Sequence, residues 1–149
     1  MELNIKKFNE LTLDELYEIL KVRADIFVVE QNCVYQDLDD LDKCAIHIYL
    51  RDDNGIQAYL RLIAPGKVYE EAAIGRVLSK KRHFGLATQI ILAAIKEAQQ
   101  QMNIGKIKLA AQVYARSLYE KIGFTQCSDE FLEDGIPHIE MILEICESS

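Results

Sequence analysis

Residues 74–87 read Ile-Gly-Arg-Val-Leu-Ser-Lys-Lys-Arg-His-Phe-Gly-Leu-Ala, a strand-like run, a basic loop and a glycine that opens a helix. Apolar residues recur every three or four positions from Leu86 to Met102, which predicts a helix with one buried face. The first N–H groups of a helix are unpaired and its dipole is positive there, so this junction favours an anion such as a phosphate. It matches neither a Walker A loop nor a GxGxxG fingerprint. A solvated basic loop is the alternative that the residues alone leave open.

Strand and helix patterns alternate on both sides of this segment. Thr12 and Glu15 have capping-box spacing, residues 53–55 (Asp-Asn-Gly) form a hairpin signal, Gly105 stands where the long helix would be capped, and Gly123 ends a short helix. The expected helices run from Thr12 toward Val29, from Leu86 to Met102 and from Ala115 to Ile122. The expected strands are Glu2–Phe8, Cys44–Arg51, Ile56–Ile63, Ala72–Leu78, Lys106–Gln112, Phe124–Cys127 and Ile136–Ile145. This order predicts an α/β protein with a single mixed sheet and helices on both faces.

The composition is that of one globular domain over residues 1–149, with 50% apolar and 28% charged residues. Seventeen Lys and Arg against 24 Asp and Glu give a net charge of −7, so nucleic acid is not an expected partner. No apolar run approaches the roughly 20 residues that span a bilayer, and we see no secretory signal. We therefore expect no membrane association and a cytoplasmic location. The four cysteines match no zinc or redox spacing, which favours free thiols and no bound metal.

Four segments resemble those of one enzyme family. Residues 82–87 fit the coenzyme A loop Q/R-x-x-G-x-G/A of the GNAT family of N-acetyltransferases, and residues 119–124 (Tyr-Glu-Lys-Ile-Gly-Phe) resemble its Y-E-x-x-G-F segment. Residues 23–35 and 131–141 are similar to the ElaA-like branch of that family. The resemblance covers nearly the whole chain. It implies a GNAT-like acyl-CoA N-acyltransferase fold, with a central mixed, mostly antiparallel sheet.

The resemblance also implies acetyl-CoA as the co-substrate. In the family, the strand before the loop splays from its neighbour, and its free edge pairs with the pantetheine arm, while the loop amides hold the pyrophosphate. The implied coenzyme-binding residues are Arg76, Val77, Leu78, Arg82, His83, Phe84, Gly85, Leu86 and Ala87.

Tyr119 matches the tyrosine that in many family members acts as a general acid near the coenzyme sulfur. A phenol has a reference pKa of about 10 and is protonated at neutral pH. From the residues alone, a core tyrosine is the alternative, because Tyr119 shares an apolar helix face with Leu118 and Ile122.

The resemblance places Gln31 and Tyr35 in the acceptor site. An ammonium must lose a proton before it attacks, and Glu30 or His138 is the candidate general base, directly or through water. A solvated helix end for Glu30 and a strand-packing role for His138 remain open. His47 alternates with apolar neighbours, which favours a structural role.

The run Asp37–Asp42 contains four aspartates. It is not a calcium-binding EF-hand loop, because positions 6 and 12 are Asp42 and Ile48 rather than Gly and Glu. Two interpretations remain: a solvated acidic loop, or a loop that attracts cationic amines toward the thioester.

The leading hypothesis is an N-acetyltransferase that moves an acetyl group from acetyl-CoA to a small-molecule or peptide amine by direct attack in a ternary complex. The alternative is a non-catalytic acyl-CoA-binding or regulatory module of the same fold. The last strand could also pair with a strand of a second subunit, so a homodimer is a further possibility.

Overall fold

The structure, a computed structural model, describes residues 1–80 and 85–145. Its strands are β1 Glu2–Lys7, β2 Ile46–Asp52, β3 Gly55–Ile63, β4 Ala72–Ser79, β5 Lys106–Gln112, β6 Thr125–Gln126, β7 Phe131–Glu133 and β8 Ile136–Glu144. Its α-helices are α1 Leu13–Arg23, α2 Leu86–Gln101 and α3 Arg116–Ile122. Three of the predicted coenzyme contacts, Arg82, His83 and Phe84, lie outside the described residues, as does Cys146. No helix in the described ranges is long and apolar enough to cross a membrane.

The strands form one mixed sheet in the order β1-β2-β3-β4-β5-β8-β6, and β7 also pairs with β8. Within the described residues, only the β4–β5 pair is parallel. Helices α2 and α3 cover one face, in a core that includes Leu60, Ile90 and Met141. Helix α1 covers the other face, where it packs on Tyr49 and Tyr59. The predicted fold class, a mixed and mostly antiparallel sheet with helices on both faces, is confirmed.

The centre of the sheet is open. Strands β4 and β5 pair only at Ala72 with Ile107 and at Ala73 with Lys108, and then separate. On its other side β4 follows β3, but the register slips, because Gly75 faces Arg61 whereas Leu78 faces Tyr59. Two residues of β4 therefore stand opposite one residue of β3, which is a β-bulge.

The strongest local signals give the elements that they predict. Thr12 caps α1, accepting from the Glu15 amide while the Glu15 carboxylate accepts from the Thr12 amide. Gly55 has a φ of +102° at the β2–β3 turn, and Gly123 has a φ of +123° after α3. Cys33, Cys44 and Cys127 are free thiols.

The first helix changes type instead of continuing as α-helix. Residues Ala24–Glu30 form a π-helix, in which each amide bonds the carbonyl oxygen five residues earlier. The same spacing continues past its end, because the Gln31 amide donates to the Ile26 carbonyl oxygen and the Cys33 amide donates to that of Val28. Apolar spacing does not distinguish these turns from an α-helix.

Two further expectations need correction. Gly105 does not cap α2, because the chain leaves the helix earlier, with Asn103 at a φ of +52°. Asn is the residue after Gly that best tolerates that region. Strand β7 was not expected. It is three residues long and joins β8 through Asp134 and Gly135, both at positive φ.

Candidate active site

A cleft of about 880 Å³ passes through the opening between β4 and β5. The cleft is bounded by β4 on one side, by the end of β5 and α3 on the other, and by the β7–β8 hairpin and the segment after the π-helix. Within the described residues, no group of three or more His, Cys, Asp and Glu side chains could hold a metal ion.

The described coenzyme-site candidates lie at one end of this cleft or beside it. Arg76, Val77, Leu78 and Ala87 line it. Leu86, the first residue of α2, is instead buried in the core. Gly85 precedes α2 at a φ of +67°, and a Cβ there would meet no described atom within 4 Å. No side chain at position 85 therefore covers the unpaired backbone amides at the start of α2.

Tyr119 lies on α3, 6% exposed, with its ring edge-to-face on Phe124 at 5.8 Å. It also lines the cleft. Burial raises the pKa of Tyr119 above its usual value, so the phenol is protonated at neutral pH. Tyr119 thus packs in the core and also contributes to the cleft wall, with its phenol protonated.

His138 lies on β8 and also lines the cleft. Its Nδ1 is 2.7 Å from the Ile136 carbonyl oxygen, and its ring stacks on Phe131 with centroids 6.0 Å apart. A carbonyl oxygen only accepts, so Nδ1 carries the proton and neutral His138 has its lone pair on Nε2. The Glu133 carboxylate is 3.5 Å from Nε2.

The remaining acceptor-site candidates separate. Gln31 lines the cleft and its side-chain oxygen accepts from Gln112 at 3.4 Å. Tyr35 also lines the cleft, but its hydroxyl donates to Asp37 at 2.7 Å. Glu30 is exposed at the end of the π-helix and is not part of the cleft wall. The structure thus brings together Tyr119, His138, Gln31 and Tyr35, and leaves Glu30 outside.

The acidic loop is partly buried, because two of its four carboxylates lie inside the protein. Asp37 and Asp42 are buried. Together with Asp39 they pair with three arginines, Arg23 of α1, Arg61 of β3 and Arg76 of β4. We call these six residues the ion network. The pairs are Arg23–Asp37, Arg23–Asp42, Arg61–Asp39, Arg61–Asp42, Arg76–Asp37 and Arg76–Asp39. Three of the loop's four carboxylates therefore face three guanidinium groups, whose positive charges offset their negative charges.

Burial acts to raise the pKa of Asp39, but the hydrogen bonds and charges of Arg61 and Arg76 outweigh it and hold the pKa at about 2. The ion network was missed at the sequence level. One available signal was Arg61 inside the apolar strand β3, because a charged residue there needs a buried partner.

His47 is buried beside this network, as its alternation with apolar residues predicted. Nε2 is 2.9 Å from the Asp42 carbonyl oxygen and must donate to it, so Nδ1 accepts from the Tyr59 hydroxyl at 2.7 Å. Burial lowers the pKa of His47, which keeps the ring neutral.

Comparisons with known proteins agree with this geometry. A protein-family model described as an acetyltransferase (GNAT) domain matches residues 27–145. A UPF0039 protein of Schizosaccharomyces pombe is 41% identical over 149 residues, covering 97% of this chain and 98% of that protein. Protein ElaA of Escherichia coli is 32% identical over 94% of each chain. Its crystal structure superposes with a TM-score of 0.87, covering 96% of this chain and 99% of that one. The crystal structure of an acyl-CoA N-acyltransferase from Pseudomonas aeruginosa has 36% identity and a TM-score of 0.89, with the same coverage.

Proposed function

This chain belongs to the GNAT acetyltransferase family as an ElaA-like member, and from that premise we propose that it transfers an acetyl group from acetyl-CoA to an amine. The observation that carries the proposal is the splay of β4 from β5. Past Ala73, the edge of β4 that faces β5 has no strand partner in the described residues. An extended acyl-CoA arm can pair with such an edge.

The proposed coenzyme site combines this edge with the start of α2. The arm lies along Arg76, Val77 and Leu78, and the pyrophosphate lies at the amides that open α2 near Gly85. Support comes from the 16-residue length of α2 and from the open space at Gly85.

The proposed reaction is direct attack within a ternary complex. The amine nitrogen bonds to the thioester carbonyl carbon and the carbon–sulfur bond breaks. The proton of the attacking nitrogen goes to Nε2 of His138, directly or through a water, and the departing thiolate takes the proton of Tyr119. Support comes from the presence of both side chains on the wall of one cleft.

The test is a screen of amines for release of the coenzyme A thiol, run beside calorimetry of acetyl-CoA binding. The panel should include amino acids, polyamines, aminoglycosides and peptides, and the donor should also be varied to longer acyl-CoA thioesters. Thiol release that depends on an amine and is fastest with acetyl-CoA is the expected result. Binding without transfer to any amine would instead favour the non-catalytic acyl-CoA module, and absence of binding would overturn both.

A further inference from the structure

The bulge in β4 is centred on a residue that is poorly suited to it. Arg76 has a φ of +53°. Of the five described non-glycine residues at positive φ, the other four are Asn or Asp outside the regular strands and helices. Arginine gains no local hydrogen bond from this conformation, unlike Asn and Asp. Something else must therefore hold Arg76 there.

The side chain of Arg76 is fixed at its far end. Its Nε is 2.8 Å from Asp37 Oδ1, and one terminal nitrogen donates to the Asp37 carbonyl oxygen at 2.9 Å and to Asp39 Oδ2 at 3.3 Å. The guanidinium also lies over the Tyr35 ring, 5.5 Å from its centroid. The two carboxylates are held in turn by Arg23 and Arg61.

We propose that Arg76 is a positioning residue whose ion pairs with Asp37 and Asp39 hold β4 in its bulged conformation and so set the register of the open β4 edge. This proposal rests on the proposed function for one point only, which is that acetyl-CoA is the ligand that binds along the open β4 edge. Arg76 thereby links the loop that carries Asp37 and Asp39 to β4. The Arg76 side chain acts through the conformation of β4, and only the backbone of Arg76 lies at the edge that the coenzyme arm follows.

This role makes a specific prediction about glycine. Arg76→Ala removes the anchor and keeps a residue that disfavours positive φ, so acetyl-CoA should bind roughly tenfold more weakly. Arg76→Gly also removes the anchor but adopts positive φ readily, so the affinity should return to within about threefold of the wild-type value. Arg51→Ala, which removes an exposed arginine of β2, is the control and should change the affinity by less than about twofold.

A second arm tests the anchor from its other end. Asp39→Asn should weaken acetyl-CoA binding several-fold in the wild-type background and by less than about twofold in the Arg76→Gly background, because the residue through which it acts is then absent. Equal weakening by Arg76→Ala and Arg76→Gly would show that the guanidinium binds the ligand itself, and would overturn the proposal.

Amide hydrogen exchange of Val77 and Leu78, measured without coenzyme, separates this proposal from the proposed function. We expect faster exchange in Arg76→Ala than in both the wild type and Arg76→Gly. If the wild-type protein does not bind acetyl-CoA, the proposed function is wrong, and the exchange order alone decides whether Arg76 holds the bulge. Identical exchange in all three proteins would overturn the positioning role.

Discussion

Tyr119 carries the most direct prediction at the scale of single residues. Tyr119→Phe keeps the ring that packs on Phe124 and removes only the proton donor. We expect kcat to fall roughly 10- to 10⁴-fold, nearer the low end because thiolates leave readily, with little change in acetyl-CoA affinity. The measurement is kcat under conditions where chemistry limits turnover. Tyr114→Phe, an exposed tyrosine on the same cleft wall, is the matched control. A folded Tyr119→Phe protein with wild-type kcat would leave Tyr119 as a packing residue only.

His138 makes a prediction about proton removal. His138→Gln removes the Nε2 lone pair that would accept the proton of the amine, so kcat/KM at neutral pH should fall roughly 10²- to 10⁴-fold. The measurement is kcat/KM at neutral pH for both proteins. Wild-type kcat/KM in a folded His138→Gln protein would show that the base is another group, and Glu30→Gln is the next variant to measure.

At the scale of elements, local chemistry explains which parts of the fold were predictable. The Thr12 capping box and the Gly55 turn depend on residues within a few positions of each other, so short patterns identify them. The ion network joins side chains 14 to 39 positions apart, which no local pattern contains. The run Asp37–Asp42 therefore looks solvated in sequence although two of its carboxylates are buried.

The candidate site divides in the same way. Tyr119, His138 and Gln31 were identified from a family resemblance, and the folded chain places all three on one cleft. The positions of Gln31 and His138 in the cleft depend on two elements that the sequence did not predict. The π-helix precedes Gln31, and β7 carries Phe131, on which His138 stacks.

Helix α2 gives a prediction for the coenzyme site. Gly85→Asp places a carboxylate at the start of the helix, where the phosphates are proposed to bind, and should weaken acetyl-CoA binding roughly 10- to 100-fold by repulsion and loss of charge-assisted bonds. Gly66→Asp is the matched control: Gly66 also has positive φ and open surroundings, but it does not line the cleft. Calorimetry on both folded variants is the measurement. Equal affinities would contradict the placement of the pyrophosphate.

At the scale of the whole molecule, the net charge of −7 does not describe the cleft. Arginines of the ion network offset three of the four negative charges of the acidic loop, and Asp40, 3.9 Å from Lys43, is the aspartate outside that network. The network also makes the stability of the folded chain depend on pH, because Arg61 and Arg76 lower the pKa of Asp39 only when the chain is folded.

Stability should therefore fall in two stages as the pH is lowered. His47 has a folded pKa below its ordinary value of 6.5, so the unfolded chain binds the proton first and stability declines as the pH drops through about 6.5. Asp39 and Glu15 have folded pKa values of about 2 against ordinary values of 3.8 and 4.5, so their contribution to stability is present above about pH 4.5 and is lost toward pH 2.

The measurement is the free energy of unfolding in urea from pH 8 to pH 3. His47→Gln should flatten the upper stage and keep the lower one, whereas Asp39→Asn should reduce the lower stage alone. An unchanged slope between pH 8 and pH 5 in His47→Gln would show that the buried imidazole is not the group that the first stage titrates.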